Sequence, residues 1–460
     1  MSTAPPTAEA GRAVPPADRA LRRERFGWYS YDWANSVFSS TVVTVFLAPY
    51  LSSIAEAGAD AEGRIHPLGI SVPPGSFFGY VLSVSVVLQV LVLPLTGAFA
   101  DRSGHKRQLL AALAFLGAAC TMAMFFVVGG HYLLGAGLFV AANLSFGASI
   151  VVYYSWLPDL ASPDERDKIS SRGWAYGYLG GAALLAANLA LFTRYKTFGL
   201  TEGEAVRICL ASAGVWWAGF TVVSIALLRN RRPRVAVDDE GRARAGAAGT
   251  FRQLGATLRD LRNYPLTLVF LAAYLLFNDG VQTVIGVSAQ YGKEALGLPQ
   301  TTLVSAILLV QFVAFIGAVA LGRIAQRVGA KRTVLGALVA WTGTLVAAYF
   351  VAAGAALQFY LLAAVIAIVL GGTQALSRSL FSQLIPPGKE AEYFGFYEIS
   401  DRGTSWLGPF LFALTFQLTG SYRYAIFSLI VFFLAGGLLL SRLDMRRAIV
   451  EAGNVPPERL

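Results

Sequence analysis

Charge is what this chain has least of. Asp, Glu, Lys and Arg make up 14% of its 460 residues, against about a quarter in a soluble globular domain. A formal net charge of +10 would point to nucleic acid in a soluble protein. Here the cations sit in loops between apolar stretches, so no nucleic-acid partner is expected. Cysteine is scarce too. Cys120 and Cys209 lie far apart inside apolar stretches, which excludes a disulfide framework or a thiolate metal site. The three histidines, His66, His105 and His131, are scattered and form no metal constellation. There is no H-E-x-x-H and no G-x-x-x-x-G-K-[ST], so neither zinc hydrolysis nor ATP is expected to drive anything. No cofactor and no enzymatic activity are expected. The first 26 residues are rich in Ala, Pro and Arg and lack an apolar core. They read as a disordered cytoplasmic tail, not a signal peptide.

Long apolar runs are what the chain has instead. Twelve stretches of about 20 residues, each long enough to span a bilayer, fall at 27–51, 77–100, 108–129, 132–156, 172–193, 206–228, 265–290, 300–322, 333–353, 357–384, 394–419 and 422–441. With the N-terminus inside, 29 Lys and Arg fall on the inner side and 6 on the outer side. That asymmetry places both termini in the cytoplasm and the chain in the plasma (inner) membrane, surrounded by lipid. The expected organisation is a tail (1–26), a six-helix bundle (27–228), a cytoplasmic linker (229–264), a second six-helix bundle (265–441) and a tail (442–460). In the linker, Phe251, Leu254, Leu258 and Leu261 recur at helical spacing among Arg252, Arg259 and Arg262. They predict a short amphipathic helix on the inner leaflet.

One short basic sentence is written twice. Gly97-Ala-Phe-Ala-Asp101-Arg102-Ser-Gly104-His-Lys106-Arg107 returns 225 residues later as Gly322-Arg-Ile-Ala-Gln326-Arg327-Val-Gly329-Ala-Lys331-Arg332. The first copy resembles the loop between helices 2 and 3 of the major facilitator superfamily, G-x-x-x-D-R-x-G-x-K/R-R. A narrower likeness rests on Tyr31-Asp32-Trp33-Ala34-Asn35-Ser36, Asn278-Asp279-Gly280-Val281-Gln282-Thr283 and Gln374-Ala375-Leu376-Ser377-Arg378-Ser379. Together these resemble the UMF1 branch, which is similar to the fungal vacuolar amino-acid effluxers. The resemblance covers about residues 26 to 441. It implies an all-α polytopic membrane protein with twelve transmembrane helices in two pseudo-symmetric six-helix bundles. It also implies that the gating loop of Gly97, Asp101, Arg102, Gly104, Lys106 and Arg107 latches the cytoplasmic side shut. Asp101 can accept from a helix N-terminus or pair with a cation. The second copy carries Gln326 at the acidic position, so a charge lock is expected in the first half only.

Ionisable groups within spans cost roughly 2.5–3.5 kcal/mol each on insertion scales, and they usually face a cavity or a partner. Asp32, Asp279, Arg378, Glu398, Asp401 and Arg402 are the candidates. Asp401 and Arg402 are adjacent and can pair. Asp279 is deep and far from any span cation, so it is expected to carry a coupling proton, with Asp32 as runner-up. Arg378 offers bidentate donors to a carboxylate or phosphate and is expected to face a central cavity. Asn35, Gln89, Asn143, Gln282 and Gln311 lie near mid-depth and are expected to line that cavity; helix–helix hydrogen bonding is the alternative.

Gly173, Gly177 and Gly181 form a smooth stripe on helix 5 where another helix can press close. Pro94 and Gly408-Pro409 mark kinks. Tyr29, Tyr31 and Trp33, with Tyr153, Tyr154 and Trp156, read as an interfacial aromatic belt. These features predict a monomeric secondary transporter. It moves a small polar solute, such as an amino acid or related zwitterion, by alternating access with proton coupling. The alternatives are a multidrug or metabolite exporter, and a non-transporting membrane sensor with the same fold.

Overall fold

The computed structural model describes residues 16–231, 259, 261–402 and 406–460, and the side chains of all of these except 16–18 and 402. Among them, eleven helices are long and apolar enough to cross a membrane. We label these α1 (Arg19–Ala57), α2 (Pro74–Ser103), α3 (Lys106–Phe126), α4 (Tyr132–Leu160), α5 (Pro163–Thr193), α6 (Glu202–Leu227), α7 (Pro265–Ala295), α8 (Gln300–Val328), α9 (Ala330–Phe350) and α10 (Ala356–Gln383), with α12 (Tyr422–Arg442) closing the series. Between α10 and α12, α11 comes in two described pieces, Glu390–Arg402 and Leu407–Thr419. A short helix, α13 (Met445–Glu451), follows α12. The linker helix expected around 251–262 falls almost wholly outside the described residues.

Local chemistry sets the ends and irregularities of these helices. Gly104 has φ 61° and ends α2 in the left-handed conformation that glycine adopts freely. Capping boxes, Ser162 with Glu165 and Thr201 with Glu204, start α5 and α6. In α1 the stretch Phe38–Phe46 is a π-helix. Ser36 and Ser40 hydroxyls donate to Asp32 O and Ser36 O, and Thr44 donates to Ser39 O. Hydroxyls that compete for main-chain acceptors loosen the regular ladder.

Both described chain ends lie on one face, hereafter the termini face. In the first half α1 packs on α5 and α6, and α3 on α4 and α6. In the second half α7 packs on α12, and α10 on α8 and α9. The halves meet where α5 lies against α8 and α10, and where α11 lies against α2 and α4. The pairs α2–α11 and α8–α5 correspond under the 225-residue repeat, so one contact is made twice from opposite sides.

Most of the glycine stripe of α5 faces α1, and only its first glycine, Gly173, also touches the junction. A Cβ at Gly177 would fall 2.6 Å from Ser36 Oγ, and one at Gly181 3.0 Å from Ser40 Oγ, both on α1. The stripe seats α1 within the first half, and at Gly173 it also leaves space for Arg378 of the second half.

Candidate functional site

The centre of the junction is Arg378. It is 0% exposed, and every described hydrogen-bond partner of it belongs to the first half. Its Nε donates to Ser170 Oγ at 2.9 Å, its Nη2 to Ser170 O at 2.7 Å and its Nη1 to Asp32 Oδ2 at 3.4 Å. Tyr153 Oη donates to the same Asp32 oxygen at 2.7 Å. The guanidinium lies 4.8 Å from the Trp28 ring centre and 4.7 Å from that of Tyr154. Gly173 makes room: a Cβ there would sit 2.6 Å from Asp32 Oδ2 and 3.0 Å from Arg378 Nη2.

This corrects two sequence expectations. Arg378 does not face an open cavity; it bridges the halves in a sealed seam. The aromatic group is not a headgroup belt, because Tyr29, Tyr31, Tyr153, Tyr154 and Trp156 are all buried. Trp28 stacks on Tyr153 with centroids 4.6 Å apart, and Tyr154 meets Phe394 of α11 edge-on at 5.4 Å. A buried cation needs a low-dielectric shell that still offers negative charge density, and aromatic faces supply it.

The loop sentence forms a second bridge. Asp101 accepts from the main-chain N–H of Ala391 at 3.0 Å and of Glu392 at 2.9 Å, which are first-turn donors of α11. Lys106 Nζ lies 3.1 Å from Asp101 Oδ1. Arg107 donates its main-chain N–H to Asn230, and Arg102 is half-buried at the end of α2. A Cβ at Gly97 would fall 2.6 Å from the Ala391 carbonyl carbon and 2.7 Å from Glu392 Cα. Gly395 returns the contact, with its Cβ position 2.9 Å from Pro94 Cα. Replacing Gly97 by Ala should therefore cost about 1–3 kcal/mol, the usual price of overpacking. Gly79→Ala in the same helix, where a Cβ meets nothing within 4 Å, should cost nothing. Thermal unfolding of the purified variants measures both.

A third group lies within the second half. Asn278 Nδ2 donates to Asp401 Oδ1 at 2.7 Å, Tyr274 Oη to the same oxygen at 3.0 Å, and Gln374 Nε2 to Asn278 Oδ1 at 2.7 Å. This network joins the Asn278 and Gln374 motifs. Asp401 thus binds neutral donors from α7; the Arg402 side chain lies outside the described residues. Asp279 is 2% exposed. Its Oδ2 accepts from the Gly408 N–H at 2.7 Å and so caps the second piece of α11, while its Oδ1 has no hydrogen-bond partner among the described residues.

The remaining candidates are dispersed. Gln89 Nε2 donates to Asn143 O at 2.9 Å, and Asn143 Nδ2 to Ser85 Oγ at 2.8 Å, so this pair ties α2 to α4. Asn35 is buried beside Asp32 on α1; Gln282 and Gln311 are half-buried. Sequence reasoning missed the other cross-half side-chain hydrogen bonds. Ser170 Oγ donates to Ala375 O, Ser379 Oγ to Asp167 Oδ1 at 2.6 Å, and Arg166 Nη1 to Ser382 O at 2.9 Å. The only signal was the density of Ser around Arg378, which by itself reads as small-residue packing. Among the described residues no group of three His, Cys, Asp or Glu is placed to hold a metal ion.

Residues 20–453 match the family described as "Vacuole effluxer Atg22 like". The chain belongs to this Atg22-like branch of the major facilitator superfamily. Its relatives include the "Uncharacterized MFS-type transporter YxiO" of Bacillus subtilis, 30% identical over 92% of this chain and 95% of that protein. "Autophagy-related protein 22-1" of Penicillium rubens is 26% identical over 91% of this chain and 89% of its own length. Among solved structures, a bacterial homologue of the iron transporter ferroportin in an outward-facing state has a TM-score of 0.65 at 15% identity, covering 93% of this chain and 99% of its own. The proton:xylose symporter XylE has a TM-score of 0.65 at 14% identity, covering 92% and 94%. An Atg22-like chain of this fold is an integral membrane transporter and not an enzyme.

Proposed function

We propose that the chain is an alternating-access secondary transporter of a small zwitterion, such as an amino acid, driven by protons, with its termini face in the cytoplasm of a plasma (inner) membrane. The observation that carries the reading is the Arg378–Asp32 pair. Opening the termini face takes Arg378 away from Asp32 and Ser170 together, because both belong to the other half. That leaves one cation and one anion facing each other across an opening. A zwitterion satisfies both: its carboxylate takes the planar guanidinium and its ammonium takes Asp32. A simple anion or cation would leave one buried charge unpaired, which is costly. The aromatic walls around Arg378 suit a compact solute. Asp279 is the proton carrier, a buried carboxylate with one oxygen unfilled among the described residues. The excess of Lys and Arg on the termini face supports the orientation. The family description as effluxers supports solute movement.

A thermal-shift series tests the ligand class. An amino acid, its amine lacking the carboxylate and its carboxylic acid lacking the amine are compared at equal concentration. A ligand held only by the folded state contributes about 2.7 kcal/mol at a hundred times its Kd. Only the zwitterion should raise Tm. Equal shifts from the acid alone would refute the two-point reading.

A further inference from the structure

Residues 454–460 turn back under the termini face, and we propose that they form a detachable strap that stands in for the acid missing from the second loop copy. The strap is anchored on the second half. Asn454 Nδ2 donates to Gln383 O at 2.9 Å and Ile385 O at 2.7 Å, at the end of α10. Arg459 Nη1 donates to Arg327 O at 3.0 Å and Gln326 O at 3.4 Å. These are the last carbonyls of α8, which lack helical partners and favour a cation. Arg446 Nη2 holds Glu458 O at 3.1 Å, and the Leu460 main chain lies against Gly329, whose φ is 95°.

From that anchorage the strap makes one hydrogen bond to the other half among the described residues. The Glu458 N–H donates to Asp164 Oδ1 at 2.8 Å, in the first turn of α5. A cavity of about 180 Å3 lies behind the crossing, walled by Asp164, Asp167, Gln326 and Arg459. In the first loop copy, Asp101 itself caps the facing helix α11. In the second copy the corresponding residue is Gln326, and α5 is capped by its own Ser162–Glu165 box. Among the described residues the α8–α5 pair therefore has no acid-to-helix latch, and the strap bridges that pair instead. Opening the termini face must break the Glu458–Asp164 bond, while the rest of the strap stays on the second half. The strap therefore biases the protein towards the closed termini face and can be released without unfolding.

Pulsed electron resonance on the full chain tests this. Nitroxides are placed at Lys168→Cys on α5 and Arg323→Cys on α8, both exposed, with Cys120 and Cys209 replaced by Ala. Deleting 454–460, or changing Asp164 to Ala, should raise the ratio of parted to closed distances about tenfold, the size of one lost hydrogen bond to a charged acceptor. Adding a synthetic peptide of residues 454–460 to the deleted protein should restore the closed distance. If the deletion does not fold, Asp164→Ala and Arg459→Ala, which remove no apolar packing, decide the matter alone. Unchanged distances in the point variants overturn the proposal. So does a deleted protein that unfolds at the parent Tm with parent distances.

Discussion

Arg378→Gln should reduce uptake in proteoliposomes by at least about thirtyfold. Truncating one partner of a buried, hydrogen-bonded charge pair costs about 2–5 kcal/mol, and each 1.4 kcal/mol is about tenfold. The substitution removes the cation that Asp32 faces, the donors to Ser170, and the proposed receptor for the solute carboxylate. Asp32 would be left in an aromatic seam with Tyr153 as its remaining described donor. The closed termini face should weaken at the same time, seen as a lower Tm. Lys at 378 should not rescue uptake, because one ammonium cannot reproduce the planar fork that binds Ser170 twice. The double variant Asp32→Asn with Arg378→Gln separates the two roles. It leaves no unpaired charge, so Tm should recover while uptake stays lost. If uptake recovers with Tm, the pair is a structural tie only, and the two-point site is wrong.

Asp279→Asn should abolish proton-driven accumulation while sparing exchange. Asn keeps an oxygen to accept the Gly408 N–H, so the cap on α11 survives. What it removes is the ability to ionise. One pH unit is worth about 1.36 kcal/mol, so one proton per solute supports about tenfold accumulation per unit. In vesicles with an imposed gradient of one unit the variant should fall to an accumulation ratio of one. Solute counterflow without a gradient should continue at a rate near the parent's. Undiminished accumulation would remove Asp279 from the proton path and leave Asp32 to be tested next.

The spans were legible because lipid imposes a simple rule. Every main-chain group must be satisfied within the segment, so length and apolarity suffice to find a helix. The repeated loop was legible because its residues are adjacent, and Asp101 turned out to bond a helix N-terminus as its chemistry suggested. The aromatic group was misread for the opposite reason. Near the end of a span, Tyr and Trp look alike whether they meet headgroups or a buried cation. Only the approach of α10 to α1 and α4 distinguishes the two. The glycines of α5 carried the same ambiguity: spacing marks a smooth stripe but not the helix that presses on it.

What the chain order fixed alone is the set of apolar spans, their shared handling of charge, and the lone acid of the first loop copy. All of these are local, set by the solvent that each segment meets. What tertiary packing decided is which charges find each other. Asp32 and Arg378 are 346 residues apart, and Asp164 and Glu458 are 294 apart. Pairing at such range depends on how two helix bundles lean together, and no periodicity within either bundle encodes that lean.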